Sequence, residues 1–125
     1  MNEQNYASFE ASKKLVDNGI ILETDVAWAW IDQNPKGTVA EEYLRPTLYL
    51  KHFLPDTWFT CIVPAPCFTE VWRELPEQND NEYLRVFKDE GKTFCGYGEY
   101  ADRWCHVNPT DALIDLLVWL KGKGK

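Results

Sequence analysis

The fold of this chain is decided by residues 108–120, which have the sequence Asn-Pro-Thr-Asp-Ala-Leu-Ile-Asp-Leu-Leu-Val-Trp-Leu. Asn108 can accept hydrogen bonds from the free amide groups at a helix start, and Pro109 suits the first helical position because it has no amide hydrogen. Four leucines at helical spacing share one face of this helix: Leu113, Leu116, Leu117 and Leu120. On the same pattern three residues fall on the opposite, exposed side: Asp111, Asp115 and Val118. We therefore expect a helix that lies on a sheet and ends at Gly122.

A membrane span is the alternative interpretation of this apolar run, but a span needs about 20 consecutive apolar residues. Asp115 interrupts the run and Lys121 ends it, so we expect no membrane association. The first residues also lack the basic and apolar regions of a signal peptide. The four cysteines are then expected to be free thiols in a cytoplasmic protein.

The length and charge of the chain limit its organisation and its partners. Its 125 residues correspond to one domain, so we expect residues 1–125 to fold as a single unit. The net charge of −7 disfavours a nucleic-acid-binding surface, because such a surface needs a basic patch. Six Trp, six Tyr and six Phe are many for this length, and most are expected in the core, where aromatic side chains bury large areas.

Two further helices are predicted from apolar spacing and from their end signals. Ser8 is a candidate N-cap for a helix over residues 9–17, and Asn18 and Gly19 supply its end. A middle helix follows Pro66, because four apolar side chains recur at helical spacing: Phe68, Val71, Trp72 and Leu75. Pro76 ends this middle helix.

Apolar runs predict the strands, which are residues 25–31, 47–53, 58–63, 83–87, 93–97 and 104–107. One hairpin is expected to join 47–53 to 58–63 through Pro55 and Asp56, and another joins 83–87 to 93–97 with Gly91 at a bulge position. Residues 34–37 are predicted to turn, and residues 38–45 form either a helical turn or an irregular lid. The order helix, strands, helix, strands, helix predicts an α+β domain, with a mostly antiparallel sheet and about three helices packed on one face.

Three short segments of the chain resemble small proteins of gut anaerobes and their phages. They are residues 8–15, residues 64–76 and residues 108–117. No activity is established in that group, so the resemblance implies a phage or mobile-element setting and no particular chemistry.

Cysteine and histidine give one candidate site. Cys105 and His106 are adjacent, and Cys95 precedes them on the neighbouring predicted strand. A zinc site normally contains close ligand pairs such as Cys-x2-Cys, and no such pair occurs in this sequence. Adjacent residues on a strand also point to opposite faces. A small metal-binding protein or enzyme that uses Cys95, Cys105 and His106 is therefore kept as the alternative, and we expect no metal site and no cofactor.

Carboxylates give the second candidate. Acidic residues outnumber basic ones in the middle of the chain, and five of them are expected to form a partner-binding face: Glu70, Glu74, Glu77, Asp80 and Glu82. Glu70 and Glu74 are one helical turn apart, but nothing in the sequence converges on them as an acid–base or metal pair. A solvated surface without a partner is the plainer explanation of such a charge run.

Aromatic side chains on the predicted strands, such as Trp28 and Trp30, could stack nucleic-acid bases, but stacking platforms come with a positive groove. Packing of these strands against Trp72 and Trp119 explains them better. We therefore expect a small acidic cytoplasmic interaction or accessory protein without catalytic activity. Its expected partner is a protein with a basic surface.

Overall fold

The computed structural model describes residues 3–32, 37–51, 59–100 and 102–123. In these residues the chain forms three α-helices: α1 (Phe9–Asp17), α2 (Phe68–Glu74) and α3 (Pro109–Lys123). It also forms seven strands: β1 (Val26–Trp30), β2 (Thr47–Leu50), β3 (Cys61–Pro64), β4 (Gln78–Asn79), β5 (Glu82–Asp89), β6 (Lys92–Tyr97) and β7 (Trp104–His106). Short 3-10 helices cover Glu3–Asn5, Glu41–Leu44 and Gly98–Tyr100. None of the helices in these ranges has both the length and the apolar character to cross a membrane.

The strands form two antiparallel sheets, with the orders β2-β1-β3 and β4-β5-β6-β7. The α+β class and the order helix, strands, helix, strands, helix are confirmed. The strands that the sequence suggested for one sheet are divided between two, because the chain leaves the first sheet after β3 and enters the second only after α2.

The predicted hairpin between residues 47–53 and 58–63 is wrong, because β1 lies between β2 and β3. Trp28 pairs with Leu48 on one side and with Val63 on the other. β1 is the most buried of the three strands, and the central position pairs the backbone amides and carbonyls on both of its edges. The turns predicted at Pro55 and Asp56 and over residues 34–36 lie outside the described residues.

Trp28 and Trp30 pack on Phe9 of α1, with ring centroids 6.1 and 5.1 Å apart and nearly perpendicular planes. This edge-to-face arrangement is favourable for aromatic pairs. It corrects the expectation that these strand residues pack against Trp72 and Trp119. Those two rings lie on α2 and α3, and Trp72 is 43% exposed.

The other face of β1 carries Ala29, which packs in a separate cluster of buried side chains with Phe59. Part of this cluster comes from the 3-10 helix Glu41–Leu44. There the Ile31 amide donates to the Tyr43 carbonyl oxygen at 2.8 Å. Of the two interpretations of residues 38–45, the helical turn is the one that the structure contains.

β5 and β6 form the second predicted hairpin, with Asp89 paired to Lys92. Only Glu90 and Gly91 lie between them, and both have positive φ angles, 51° and 77°. Two such residues make a type I′ turn, whose twist matches that of the flanking strands. Gly91 is therefore part of the turn and does not form the predicted bulge.

α3 packs on β6 and β7, and three leucines of the predicted stripe, Leu113, Leu116 and Leu117, are buried while Leu120 is half-buried. Asn108 Oδ1 accepts hydrogen bonds from the amides of Thr110 and Asp111 at 2.9 and 3.3 Å, which confirms the N-cap. The helix runs through Gly122 to Lys123, so the predicted end at Gly122 is wrong. Lys121 in the last turn suits the negative end of the helix dipole.

Asp111 is buried, with 8% of its surface exposed, and does not lie on an exposed side as predicted. Its Oδ1 accepts a hydrogen bond from the Ser8 amide at 2.8 Å. Ser8 is itself the N-cap of α1, because its Oγ accepts from the Ala11 amide at 3.2 Å. The starts of α1 and α3 are thus joined, a contact that the periodicity of one helix cannot indicate.

Leu116→Asp is expected to unfold the domain, because it places an unpaired charge in the fully buried stripe of α3. The free energy of unfolding should fall by about 4 kcal/mol or more, which is most of the stability of a small domain. Chemical denaturation followed by tryptophan fluorescence measures this change. Lys121→Ala, at an exposed position of the same helix, should change it by less than about 0.5 kcal/mol. A wild-type-like cooperative transition for Leu116→Asp would show that α3 is peripheral to the fold.

Candidate functional site

The structure separates the three residues of the candidate Cys–His site. Cys95 is buried beneath α3, where its Sγ donates to the Ala112 carbonyl oxygen at 3.2 Å. Cys105 is exposed and pairs with Phe94, the neighbour of Cys95 along the strand. Because successive residues of a strand point to opposite faces, the two thiols lie on opposite sides of the sheet.

His106 has a different partner, since its Nε2 lies 2.5 Å from Asp115 Oδ2. The same carboxylate accepts a hydrogen bond from Lys14 Nζ at 2.8 Å. This cluster joins β7 and α1 to the middle of α3, and an exposed ion pair such as that of Lys14 with Asp115 contributes up to about 1 kcal/mol. Within the described ranges, no group of three His, Cys, Asp or Glu side chains is arranged to hold a metal ion.

Burial raises the pKa of the Cys95 thiol to about 12, and the nearby Asp115 carboxylate adds to the shift. A cysteine must be ionised to act as a nucleophile or as a metal ligand. At neutral pH Cys95 is therefore protonated, and it packs as a small apolar residue.

The predicted partner-binding carboxylates lie on α2 and on the hairpin that follows it. This hairpin comprises residues 77–84 and carries Glu77, Asp80 and Glu82, so we call it the acidic hairpin. It turns at Asp80 and Asn81, whose φ angles are 51° and 68°. Asp and Asn adopt such angles more readily than other residues with a side chain, and together they form a type I′ turn.

Glu70 differs from the other four carboxylates because it is engaged with its own helix. Its Oε1 accepts a hydrogen bond from the Cys67 amide at 2.9 Å. A glutamate at this position satisfies a free amide group and suits the positive end of the helix. Glu82 is half-buried, and the other three are exposed: Glu74, Glu77 and Asp80.

A cavity of about 270 Å³ lies between the acidic hairpin and the adjoining ends of β6, β7 and α3. Its lining combines three aromatic rings with four polar or charged side chains: Tyr97, Trp104, Trp119, Asn79, Asp80, Glu82 and Arg103. We call this cavity the aromatic cleft. One wall is acidic and comes from the hairpin, and the other is aromatic and comes from the second sheet and α3.

The aromatic wall consists of Trp104 on β7 and Trp119 on α3. Their ring centroids are 4.9 Å apart and their planes are tilted by 48°. The guanidinium carbon of Arg103 lies 5.4 Å from the centroid of the Trp104 ring. This distance is within the reach of cation–π attraction, so a cation of the chain itself already lies over one ring of the cleft.

Tyr97 fixes the acidic hairpin at the cleft. Its hydroxyl donates to the Pro76 carbonyl oxygen at 2.6 Å, immediately before the hairpin begins. Burial raises the pKa of Tyr97 to about 12, so the hydroxyl remains a donor at neutral pH. Gly98 follows with a φ of 58°, and a Cβ at this position would overlap the Glu82 carboxylate. The glycine is therefore needed for Glu82 to reach the cleft.

A second cavity, of about 440 Å³, also borders the acidic hairpin. It is lined by Trp72, Leu75, Glu77, Tyr83 and Leu84. The rings of Phe68 and Trp72 stack beside it with centroids 6.0 Å apart. Aromatic side chains thus adjoin the acidic hairpin in both cavities.

A further aromatic surface lies on the outer face of the second sheet. Phe87 on β5 and Phe94 on β6 are paired across the strands and stack with centroids 5.2 Å apart and planes 8° from parallel. Phe87 is 43% exposed, and Tyr83 on the same face of β5 is 58% exposed. We call this surface the outer aromatic face.

Trp104 and Trp119 do pack against the core, as expected for aromatic residues, but the sequence did not indicate that they also line a cleft or that Phe87 and Phe94 form an outer face. Trp104 and Trp119 meet only because β7 lies beneath α3, a long-range contact that apolar spacing does not indicate. The sequence did contain one usable signal, Gly98 at the end of β6, since a glycine there marks a close approach of another group.

The chain was compared with models of protein families, with curated protein sequences and with solved structures, and nothing in any of the three matches it. The resemblance of the three helical segments to proteins of gut anaerobes and phages therefore stays a prediction. The geometry of the acidic hairpin and the aromatic cleft is the basis for inferring a function.

Cys105 is expected to react with iodoacetamide in the native protein at about pH 8, while Cys95 stays unmodified because it is buried and protonated. After unfolding without a reducing agent, all four cysteines should be modified, since each is a free thiol. Peptide mass spectrometry identifies the modified residues. Native modification of Cys95 at the rate of Cys105, or a disulfide that survives unfolding, would contradict this assignment.

Proposed function

We propose that this protein is a small acidic interaction protein that binds a basic segment of another protein and carries out no catalysis. The observation that supports the proposal is the shared lining of the aromatic cleft. Two carboxylates, Asp80 and Glu82, and two indole rings, Trp104 and Trp119, border one cavity. Carboxylates and the faces of aromatic rings both attract cations.

The distribution of charge supports the same proposal. The chain has a net charge of −7, and exposed carboxylates lie at the end of α2 and along the acidic hairpin. A surface of one sign speeds the encounter with a partner of the opposite sign and repels nucleic acid. The aromatic rings beside it supply the apolar contact area that charge alone does not provide.

The resemblance to proteins of gut anaerobes and their phages supports a phage or mobile-element setting, with the partner in the same cytoplasm. Free thiols in all four cysteines fit a reducing compartment. The alternative, a metal-binding protein or enzyme built on Cys95, Cys105 and His106, has less support because the two thiols lie on opposite faces of the sheet.

A photo-crosslinking side chain at Asn79, a position of the acidic hairpin that lines the aromatic cleft, is expected to capture the partner in cell lysate. The same group at Glu10, an exposed position of α1, is the matched control and should capture nothing specific. Mass spectrometry identifies the captured protein, which we expect to present a basic segment. Equal capture from both positions would place the contact away from the hairpin.

Binding of the captured partner should weaken steeply between about 0.1 M and about 1 M salt, because the screening length falls from about 10 Å to about 3 Å. Glu74→Gln together with Glu77→Gln should weaken it about three- to tenfold at low salt, mainly through slower association. Glu10→Gln together with Glu23→Gln, which removes two exposed carboxylates outside the predicted partner-binding face, is the matched control and should leave the affinity nearly unchanged.

If neither salt nor the paired substitution changes the affinity, the acidic hairpin is only a solvating surface. Recognition would then have to run through exposed aromatic side chains such as those of the outer aromatic face. Isothermal titration calorimetry at the two salt concentrations distinguishes these outcomes.

A further inference from the structure

We infer that the aromatic cleft is a binding site for an alkylammonium group, and that Arg103 holds the place of this group in the free protein. The inference rests on the proposed function, because it names the chemical group of the basic partner that the cleft would take. The aromatic wall would contact the ligand cation, the acidic wall would attract it, and Arg103 would compete with it for the Trp104 ring.

The shape of the cleft suits a compact cation. The tilted indole rings of Trp104 and Trp119, with centroids 4.9 Å apart, adjoin each other in the lining of the cavity. The cavity of about 270 Å³ has room for a trimethylammonium head and part of its alkyl chain. Aromatic rings arranged around such a cavity are how proteins commonly recognise quaternary ammonium groups.

The charge of the lining has the sign that a cation requires. Asp80 and Glu82 contribute two carboxylates to the cavity, and Arg103 contributes the single guanidinium among its lining residues. The lining is therefore net negative at neutral pH. An anion would meet these carboxylates at the same wall, and its binding would be opposed by them.

Arg103 provides direct support for cation chemistry in the cleft. Its guanidinium carbon is 5.4 Å from the centroid of the Trp104 ring, within the range of about 6 Å over which the face of a ring attracts a cation. A ligand cation and this guanidinium would compete for one ring and repel each other. Removing the charge of Arg103 should therefore strengthen cation binding, whereas it would weaken the binding of an anion or of a neutral ligand that accepts hydrogen bonds from the guanidinium.

The test is a titration of the full chain with choline and with 3,3-dimethyl-1-butanol, two compounds of matched shape that differ in charge. Binding is followed by NMR from the indole N–H signals at constant ionic strength. Choline is expected to shift the signals of Trp104 and Trp119, and the neutral compound should bind at least about tenfold more weakly. The indole signal of Trp72, which is exposed but outside the cleft, is the internal control.

Three substitutions test whether the group that binds in the cleft is a cation. Arg103→Gln should raise the affinity for choline about three- to tenfold, and Asp80→Asn and Glu82→Gln should each lower it about three- to tenfold. Asn suits the positive φ of 51° at position 80, so this variant keeps the turn. Weaker choline binding by Arg103→Gln, or equal binding of the two compounds, would overturn the cation assignment and would indicate a hydrogen-bonding or apolar ligand instead.

This readout does not depend on the macromolecular partner, so the two proposals can fail separately. If the cleft does not bind choline while the captured partner still binds in a salt-dependent way, the cation pocket is wrong and the proposed function stands. If choline binds as expected while the affinity for the partner changes neither with salt nor with substitutions in the acidic hairpin, the cleft is a cation site and the proposed function is wrong.

Discussion

The backbone of Tyr6, Ala7 and Ser8 connects elements that are distant in the sequence. The Ala7 amide donates to the Pro66 carbonyl oxygen at 2.8 Å, and the Ala7 carbonyl oxygen accepts from Trp28 Nε1 at 3.0 Å. The Tyr6 carbonyl oxygen accepts from Asn108 Nδ2 at 2.9 Å, and the Ser8 amide donates to Asp111 Oδ1 at 2.8 Å. Ala7 is fully buried, so its amide and carbonyl must be paired inside the protein or cost free energy. These bonds hold the first sheet, the segment that leads into α2 and the start of α3 in one arrangement.

The position of the aromatic cleft follows from this arrangement. Asn108 and Asp111 fix the start of α3, and the contact of Asp115 with His106 fixes the helix against β7 one turn later. Trp119 lies one further turn along the same helix, and it is held at 4.9 Å from Trp104 on β7. The two rings are therefore positioned by rigid elements, and a ligand would not have to order them.

Local features of the fold could be predicted from the sequence, and contacts between distant elements could not. Ser8 and Asn108 were identified as helix caps because a cap depends on residues within one turn. The central position of β1 depends on pairing with strands on both sides, so the run of Trp28 and Trp30 did not reveal it. Glu74, Glu77 and Asp80 were placed correctly as exposed, whereas the rings beside Asp80 come from β7 and α3, and only the tertiary fold brings those two elements to the hairpin.

The two aromatic surfaces differ in charge, and strand alternation is the cause. Leu84 and Val86 face the core, so Arg85 lies beside Phe87 on the outer face of β5. Lys92 lies on the outer face of β6 together with Phe94, the ring that stacks on Phe87. Asp89 pairs with Lys92 on this same face, so the outer aromatic face carries charges of both signs, whereas Asp80 and Glu82 outnumber Arg103 in the cleft. A basic segment that is attracted to the hairpin would meet Arg85 and Lys92 as well as Asp89 at the outer face, so charge favours the cleft although both surfaces offer aromatic rings.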